Sequence, residues 1–333
     1  MYEAFFGLRE RPFDLTPNPR FLLLTGRHRE ALSNLQYGLM SRRGLTLLVG
    51  EAGTGKTTLI RTVVRDFESQ GAIVAYLNNP TLTRAEFYEF VAEAYGLGAE
   101  AGVSKFRLLR ELSQRLEERH AQGALTALII DEAQALPDEL LEEVRLLANT
   151  ETASDKLLPI VLAGQPELAD RLNDPSLRQL KQRVALRCQL GALTASETAD
   201  YIAGRIRVAG GNSVQVFTRQ AVDSIHARSG GIPRLISVIC DNSLISGFAA
   251  DRRPVSRDIV EDVCRDFDLG SGEPAQFRQE AGAGTLQPDV PLRAAAPAAV
   301  AAPGSAAAPA GPPTPQGRKL FEHFTTRRRF SFF

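Results

Sequence analysis

Gly50-Glu51-Ala52-Gly53-Thr54-Gly55-Lys56-Thr57 matches the pattern GxxxxGK[ST] at every fixed position, and Thr58 follows it. Residues of these types at this spacing hold phosphates. Glycines let backbone N–H groups turn toward anionic oxygens with no Cβ in the way. A helix starting near Lys56 would aim the positive end of its dipole at the same anion. The Lys56 ammonium would reach the β- and γ-phosphates of a nucleoside triphosphate, and the Thr57 hydroxyl would ligate Mg²⁺. Such a loop needs a strand before it and a helix after it. The segments LTLLV at 45–49 and TTLIRTVVRDF at 57–67 supply both.

Seventy-five residues beyond Lys56, the apolar run Leu128-Ile129-Ile130 ends in two carboxylates, Asp131 and Glu132. Asp131 would hold Mg²⁺ through its water shell. Glu132 would polarise the attacking water as general base. The end of a strand is where an open α/β sheet presents such groups. Loop and carboxylates together predict ATP hydrolysis with Mg²⁺ as cofactor.

These groups need a sheet to position them. Short apolar runs occur at Leu45–Val49, Ala72–Leu77, Leu125–Ile130, Leu158–Ala163 and Val184–Leu190, each separated from the next by a helical pattern. That alternation predicts an α/β fold, a five-stranded parallel sheet with helices on both faces. Ahead of it, His28–Ser41 carries Leu32, Leu35 and Leu39 on one helical face. Residues 193–269 contain only helical patterns. Thr194 is placed to cap the first, further helices start near Thr218 and after Pro233, and a fourth runs from Ser256 to about Phe267. The expected organisation is an N-terminal lead-in at 1–44, an α/β domain at 45–192, a small all-α lid at 193–269, a linker at 270–317 and a tail at 318–333. The linker is rich in Gly, Ala and Pro and is expected to be disordered. The tail, RKLFEHFTTRRRFSFF, is basic and aromatic.

Charge and cysteine usage narrow the class. The 333 residues carry no net charge, but from residue 281 onward six Lys/Arg face two Asp/Glu, leaving 33 against 37 before it. A body of that sign makes no general case for nucleic acid. Three cysteines without metal-ligand spacing suit reduced thiols in the cytoplasm. The start MYEAFFGLRERPF lacks the pattern of a signal peptide. No run of 18 apolar residues occurs, and seven prolines between Pro291 and Pro315 bar a membrane helix there.

Several further segments carry a family resemblance. Leu158–Leu168 reads LPIVLAGQPEL, Gln182-Arg183-Val184 precedes the fifth run, and Gly230-Gly231-Ile232-Pro233-Arg234 lies in the helical region. With the two motifs above, these resemble the functional stations of an AAA+ ATPase, a P-loop NTPase core with a lid. The start YEAFFGLRERPFDLTPNPRFLL, DEAQ at 131–134, RLLANTET at 145–152 and LAGQPEL at 162–168 are similar to the ExeA/GspA-type ATPases of general secretion pathways. They are similar also to relatives of those ATPases in type IV pilus and exopolysaccharide-export loci. The resemblance covers about residues 1–268.

It implies roles residue by residue. Gln165 matches the sensor that orients the lytic water, where Asn or Thr is commoner. Arg183 matches an arginine that reaches the γ-phosphate of a neighbouring subunit in a homo-oligomer, with Arg178 as its rival. Arg234 matches a lid arginine that contacts nucleotide within its own subunit. Asn78 is a candidate hydrogen-bond partner of Glu132 in an off state, and Phe13, Leu15 and Pro17 are candidates for the base pocket. Many secretion-type members continue into a transmembrane helix and a periplasmic peptidoglycan-binding domain, and from the prolines and composition of residues 270–333 neither is expected here. The resemblance therefore implies a cytoplasmic ATPase that drives assembly or regulation of a bacterial envelope machine, with a partner at the inner membrane. Leu320, Phe321 and Phe324 with Arg327–Arg329 suit peripheral membrane contact, a partner's groove, or a solvated end. The alternative is a DNA-associated ATPase of the transposition-helper or replication-initiator type.

Overall fold

A computed structural model describes residues 1–16, 19–21, 24–78, 80–152 and 155–267. The linker and tail expectations lie outside the described residues.

All five apolar runs form strands: β1 Leu45–Gly50, β2 Ile73–Leu77, β3 Thr126–Ile130, β4 Ile160–Gly164 and β5 Val184–Leu190. They pair in parallel in the order β2-β3-β4-β1-β5. Parallel pairing requires a crossover after each strand, and each crossover here carries helix. The order sets β4 between β1 and β3. The C-terminal ends of β1, β4 and β3 are therefore adjacent, and these ends carry the phosphate loop, Gln165 and Asp131-Glu132.

The runs are continuously apolar because both faces of the sheet are covered. Leu45, Leu47, Val49, Leu128, Ile130, Ile160 and Leu162 face one core with the helices Arg84–Ala94, Lys105–Ala121 and Asp138–Leu147. Leu48, Ala127, Ile129, Val161 and Cys188 face the other with the helices Gly26–Met40 and Lys56–Glu68. Fully burying one such leucine contributes about 2 kcal/mol.

A third core lies among the helices Ala195–Val208, Arg219–Ser229, Pro233–Ala249 and Arg257–Asp266. Thr194 caps the first of them in a reciprocal box with Glu197, a feature worth about 1 kcal/mol. The lead-in contributes to this core: Tyr2, Phe6, Leu8, Phe13 and Phe21 are buried beside Ile202, Ile206, Ile236 and Val260. Residues 1–44 thus do not pack as one piece. Their second half, through Ala31, Leu35 and Leu39, belongs to the sheet.

Arg205 fastens the lead-in to the helices. Its Nε donates to the Pro12 carbonyl at 2.6 Å and its Nη2 to that of Asp14 at 3.2 Å. Its guanidinium lies 5.2 Å from the Phe21 ring centre and 5.3 Å from that of Tyr201. A buried cation satisfied by carbonyls and aromatic faces is tolerated where an unpaired one is not.

Candidate nucleotide site

β1 ends at Gly50 and the next helix starts at Lys56. Gly53 and Gly55 hold φ of 81° and 99°, left-handed values that glycine takes without steric cost. The loop closes over Lys56, which is 4% exposed. Lys56 Nζ donates to the carbonyls of Gly50 at 2.7 Å and Glu51 at 3.1 Å. Burial lowers the pKa of this ammonium, against the pull of Glu132 and Asp131. The buried Thr54 hydroxyl bonds the Glu51 carbonyl at 2.8 Å, bracing the turn.

Asp131 is fully buried. Its Oδ2 accepts from the Thr57 hydroxyl at 2.7 Å and the Tyr76 hydroxyl at 3.2 Å. Burial first, then Asp131 itself, pushes the Tyr76 phenol up to about 12, so it is a donor at neutral pH. The hydroxyl of Thr57 and the carboxylate of Asp131 form the hard oxygen donor set that Mg²⁺ prefers, and the direct bond between them shows that both reach one point.

Glu132 follows at φ 53°. A left-handed glutamate costs about 1–3 kcal/mol, and such strain collects at functional sites. Its Oε2 accepts from Gln134 Nε2 at 2.5 Å and from Gln165 Nε2 at 3.4 Å. The expected partner, Asn78, is exposed, and no hydrogen bond joins it to Glu132. The reason is the turn. β2 flanks β3 on one side and β4 flanks it on the other. The left-handed residue brings the carboxylate to the amides on the β4 side.

A cleft of about 410 Å³ opens beside the loop. Ala52 through Thr58, Glu132 and Arg234 line it, so most of the expected site residues converge there. Gly50 and Glu51 take part through the carbonyls that hold Lys56. Arg234 begins the helix Pro233–Ala249, and its backbone N–H donates to the Gly53 carbonyl at 3.2 Å. Leu15 lines the cleft with Asp14 and Thr16. Phe13 instead lies fully buried against Phe217, and Pro17 lies outside the described residues. Arg183, immediately before β5, and Arg178 are both exposed and contribute nothing to the cleft wall of their own chain.

Three residues outside the sequence motifs make polar contacts that shape the cleft region. His28 is buried, with Nδ1 at 2.8 Å from the Thr25 hydroxyl and Nε2 at 3.1 Å from the Thr54 carbonyl. It therefore braces the phosphate loop while lining the cleft. Its position on the same stripe as Leu32, Leu35 and Leu39 was the available signal. Tyr76 and Arg205 are the others, and neither belongs to a spacing motif.

Residues 39–172 match the AAA domain family. Over 281 residues the chain is 40% identical to General secretion pathway protein A of Aeromonas hydrophila, a match that takes in 84% of this chain and 50% of that protein. The chain spans about half the length of that curated relative. Among solved structures, Cdc6p from Pyrobaculum aerophilum is similar at a TM-score of 0.60 and 19% identity, covering 77% of this chain and 70% of the other. The ORC2 protein of Aeropyrum pernix is similar at a TM-score of 0.58 and 20% identity, covering 77% and 71%. At these identities the solved structures speak for the fold.

Fold, loop, acidic strand end and family match mark the core of this chain as an AAA domain with the architecture of the AAA+ class. Over its matched 281 residues the chain is similar to the ExeA/GspA-type members of that class, those related to general secretion pathway protein A.

Proposed function

We propose that this chain binds ATP in the cleft beside Gly50–Thr58, hydrolyses it within a homo-oligomer, and uses the cycle to assemble or regulate an envelope machine for secretion, type IV pili or exopolysaccharide export. The observation that carries the hydrolytic reading is one cleft wall holding Lys56, Thr57 and Glu132, with Asp131 buried behind it and bonded to Thr57. The envelope reading is supported by the 40% identity to General secretion pathway protein A.

In this reading the backbone N–H groups of the loop and the start of the helix Lys56–Glu68 receive the phosphates. Lys56 leaves the Gly50 and Glu51 carbonyls for the stronger anionic acceptor. Thr57 and Asp131 would hold Mg²⁺, whose charge offsets that of the phosphates. Glu132 takes the proton of the attacking water, and Gln165 orients that water. Arg234 closes on the phosphates from residues 193–269, which act as a lid on an α/β domain at 45–192. Arg183 is exposed and absent from its own cleft, as an arginine acting on a neighbour's γ-phosphate must be. We place the protein in the cytoplasm with peripheral contact at the inner membrane. Among the described residues no helix is long and apolar enough to cross a membrane.

The trans assignment has a direct test. Arg183→Ala should bind ATP normally and lose oligomer-dependent phosphate release. Mixing it with Lys56→Ala, which keeps Arg183 but not a working loop, should restore activity. An absence of rescue at every ratio would remove Arg183 from this role and leave Arg178.

A second experiment addresses the client class. A DNA gel shift across a salt series should show no complex at physiological ionic strength, because phosphate-driven binding weakens steeply with salt. A tight complex surviving there would replace the envelope reading with a DNA-associated one.

A further inference from the structure

Gln134 lies between two groups assigned to hydrolysis. Its Nε2 donates to Glu132 Oε2 at 2.5 Å, and its Oε1 accepts the backbone N–H of Gln165 at 3.1 Å. Its own backbone is fixed: Arg171 Nη1 donates to the Gln134 carbonyl at 2.7 Å and to that of Leu136 at 2.8 Å, while the same guanidinium pairs with Asp138. The strand end opposite makes room for it. A Cβ at Gly164 would come within 2.7 Å of Gln134 Oε1 and 2.8 Å of Leu168 Cδ2. Gly164 is not among the residues with positive φ. Close approach by the Gln134 amide and the Leu168 side chain, and not backbone conformation, is what the absent side chain accommodates.

We infer that Gln134 is a positioning residue for the general base, tying one oxygen of Glu132 to the end of β4 so that the other is left to receive the water proton. The inference rests on the ATPase reading above. A glutamate has three rotatable bonds, and a base works only within hydrogen-bond reach of its proton. A carboxylate offers about four lone-pair directions. Here the two amides both engage Oε2, and among the described residues Oε1 makes no hydrogen bond. The same geometry links the two ends of the catalytic edge. Gln134 bonds the backbone of Gln165 and the side chain of Glu132, so a displacement at the end of β4 reaches the base through one amide.

The test uses Gln134→Met, which keeps the volume and removes both side-chain bonds, and Gly164→Ala, which crowds the amide from the other side. Steady-state ATP hydrolysis, affinity for a fluorescent ATP analogue and the thermal midpoint are measured on the full chain for each variant, for the double variant and for Glu132→Gln. Gln134→Met should lower kcat about ten- to a hundredfold while KM and analogue affinity stay within about twofold. Gly164→Ala should lower kcat in the same direction. The double variant should lose less than the product of the two single losses, since both changes act on the Gln134 contact while Gly164→Ala also presses Leu168. Wild-type kcat in Gln134→Met overturns the proposal. So do additive losses in the double variant, or a parallel loss of kcat, affinity and thermal midpoint. If Gly164→Ala fails to fold, Gln134→Met decides alone. Glu132→Gln separates the two levels of argument. If it turns over at the parental rate, the general-base assignment falls and this proposal with it. If it is inactive while Gln134→Met is not, the assignment stands and only the role of Gln134 is lost.

Discussion

Glu132→Gln should bind ATP with parental affinity and hydrolyse it about 10²–10⁴ times more slowly, the usual contribution of a positioned base. The substitution is close to isosteric. An amide oxygen at this position still accepts from Gln134, whose donor sits 2.5 Å away, so the surrounding edge keeps its shape. What disappears is the capacity to take a proton. Phosphate release measured beside nucleotide binding separates these effects. Since hydrolysis is then blocked after binding, the variant should also accumulate in its ATP-bound assembly, visible by size-exclusion chromatography with light scattering. Turnover at the parental rate would remove Glu132 from the mechanism. The trapped form is in addition the reagent of choice for recovering the client by pull-down, with and without residues 318–333.

Lys56→Ala should fail at the earlier step. The ammonium is 4% exposed and rests on two carbonyls of its own loop. Its transfer to phosphate exchanges neutral acceptors for charged ones in a confined site. Removing one member of such a pair costs about 2–5 kcal/mol, or roughly thirty- to several-thousandfold in affinity. Isothermal titration with ATP and Mg²⁺ reads this directly. The loop itself should survive, because Thr54 and Glu51 brace it independently of the lysine. Unchanged affinity would mean that the phosphates bind elsewhere.

Much of this is legible in the amino-acid sequence alone. The five strands announced themselves because a sheet covered on both faces needs short, unbroken apolar runs, and each run stands between helical patterns. The phosphate loop and Asp131-Glu132 were legible because their chemistry fixes residue type and spacing together. The partner of Glu132 was not. It depends on a left-handed φ at a glutamate and on the short 3₁₀ turn Ala133–Ala135 after it, and residue types do not declare such a turn. Asn78 looked suitable because β2 neighbours β3, yet the turn leads to the opposite neighbour. The packing of Tyr2, Phe6, Leu8 and Phe13 was hidden for a different reason. Their backbone is largely irregular, so no period marks a buried face, and their partners lie nearly two hundred residues away in sequence. His28 showed its stripe but not the carbonyl of Thr54 that it meets.

The fastening of the lead-in by Arg205 has a mechanical consequence. Asp14, Leu15 and Thr16 form part of the cleft wall, but their anchor is on the helix Ala195–Val208. The chain passes between the helical core and the sheet cores twice, once after Phe21 and once after Leu190. Those two crossings define an axis. Because Arg205 holds Asp14 from the helical side, a rotation about that axis that lifts Arg234 from Gly53 would carry the Asp14–Thr16 wall along. Both walls of the cleft would then open in a single stroke, and the twin crossings would act as a hinge with two leaves.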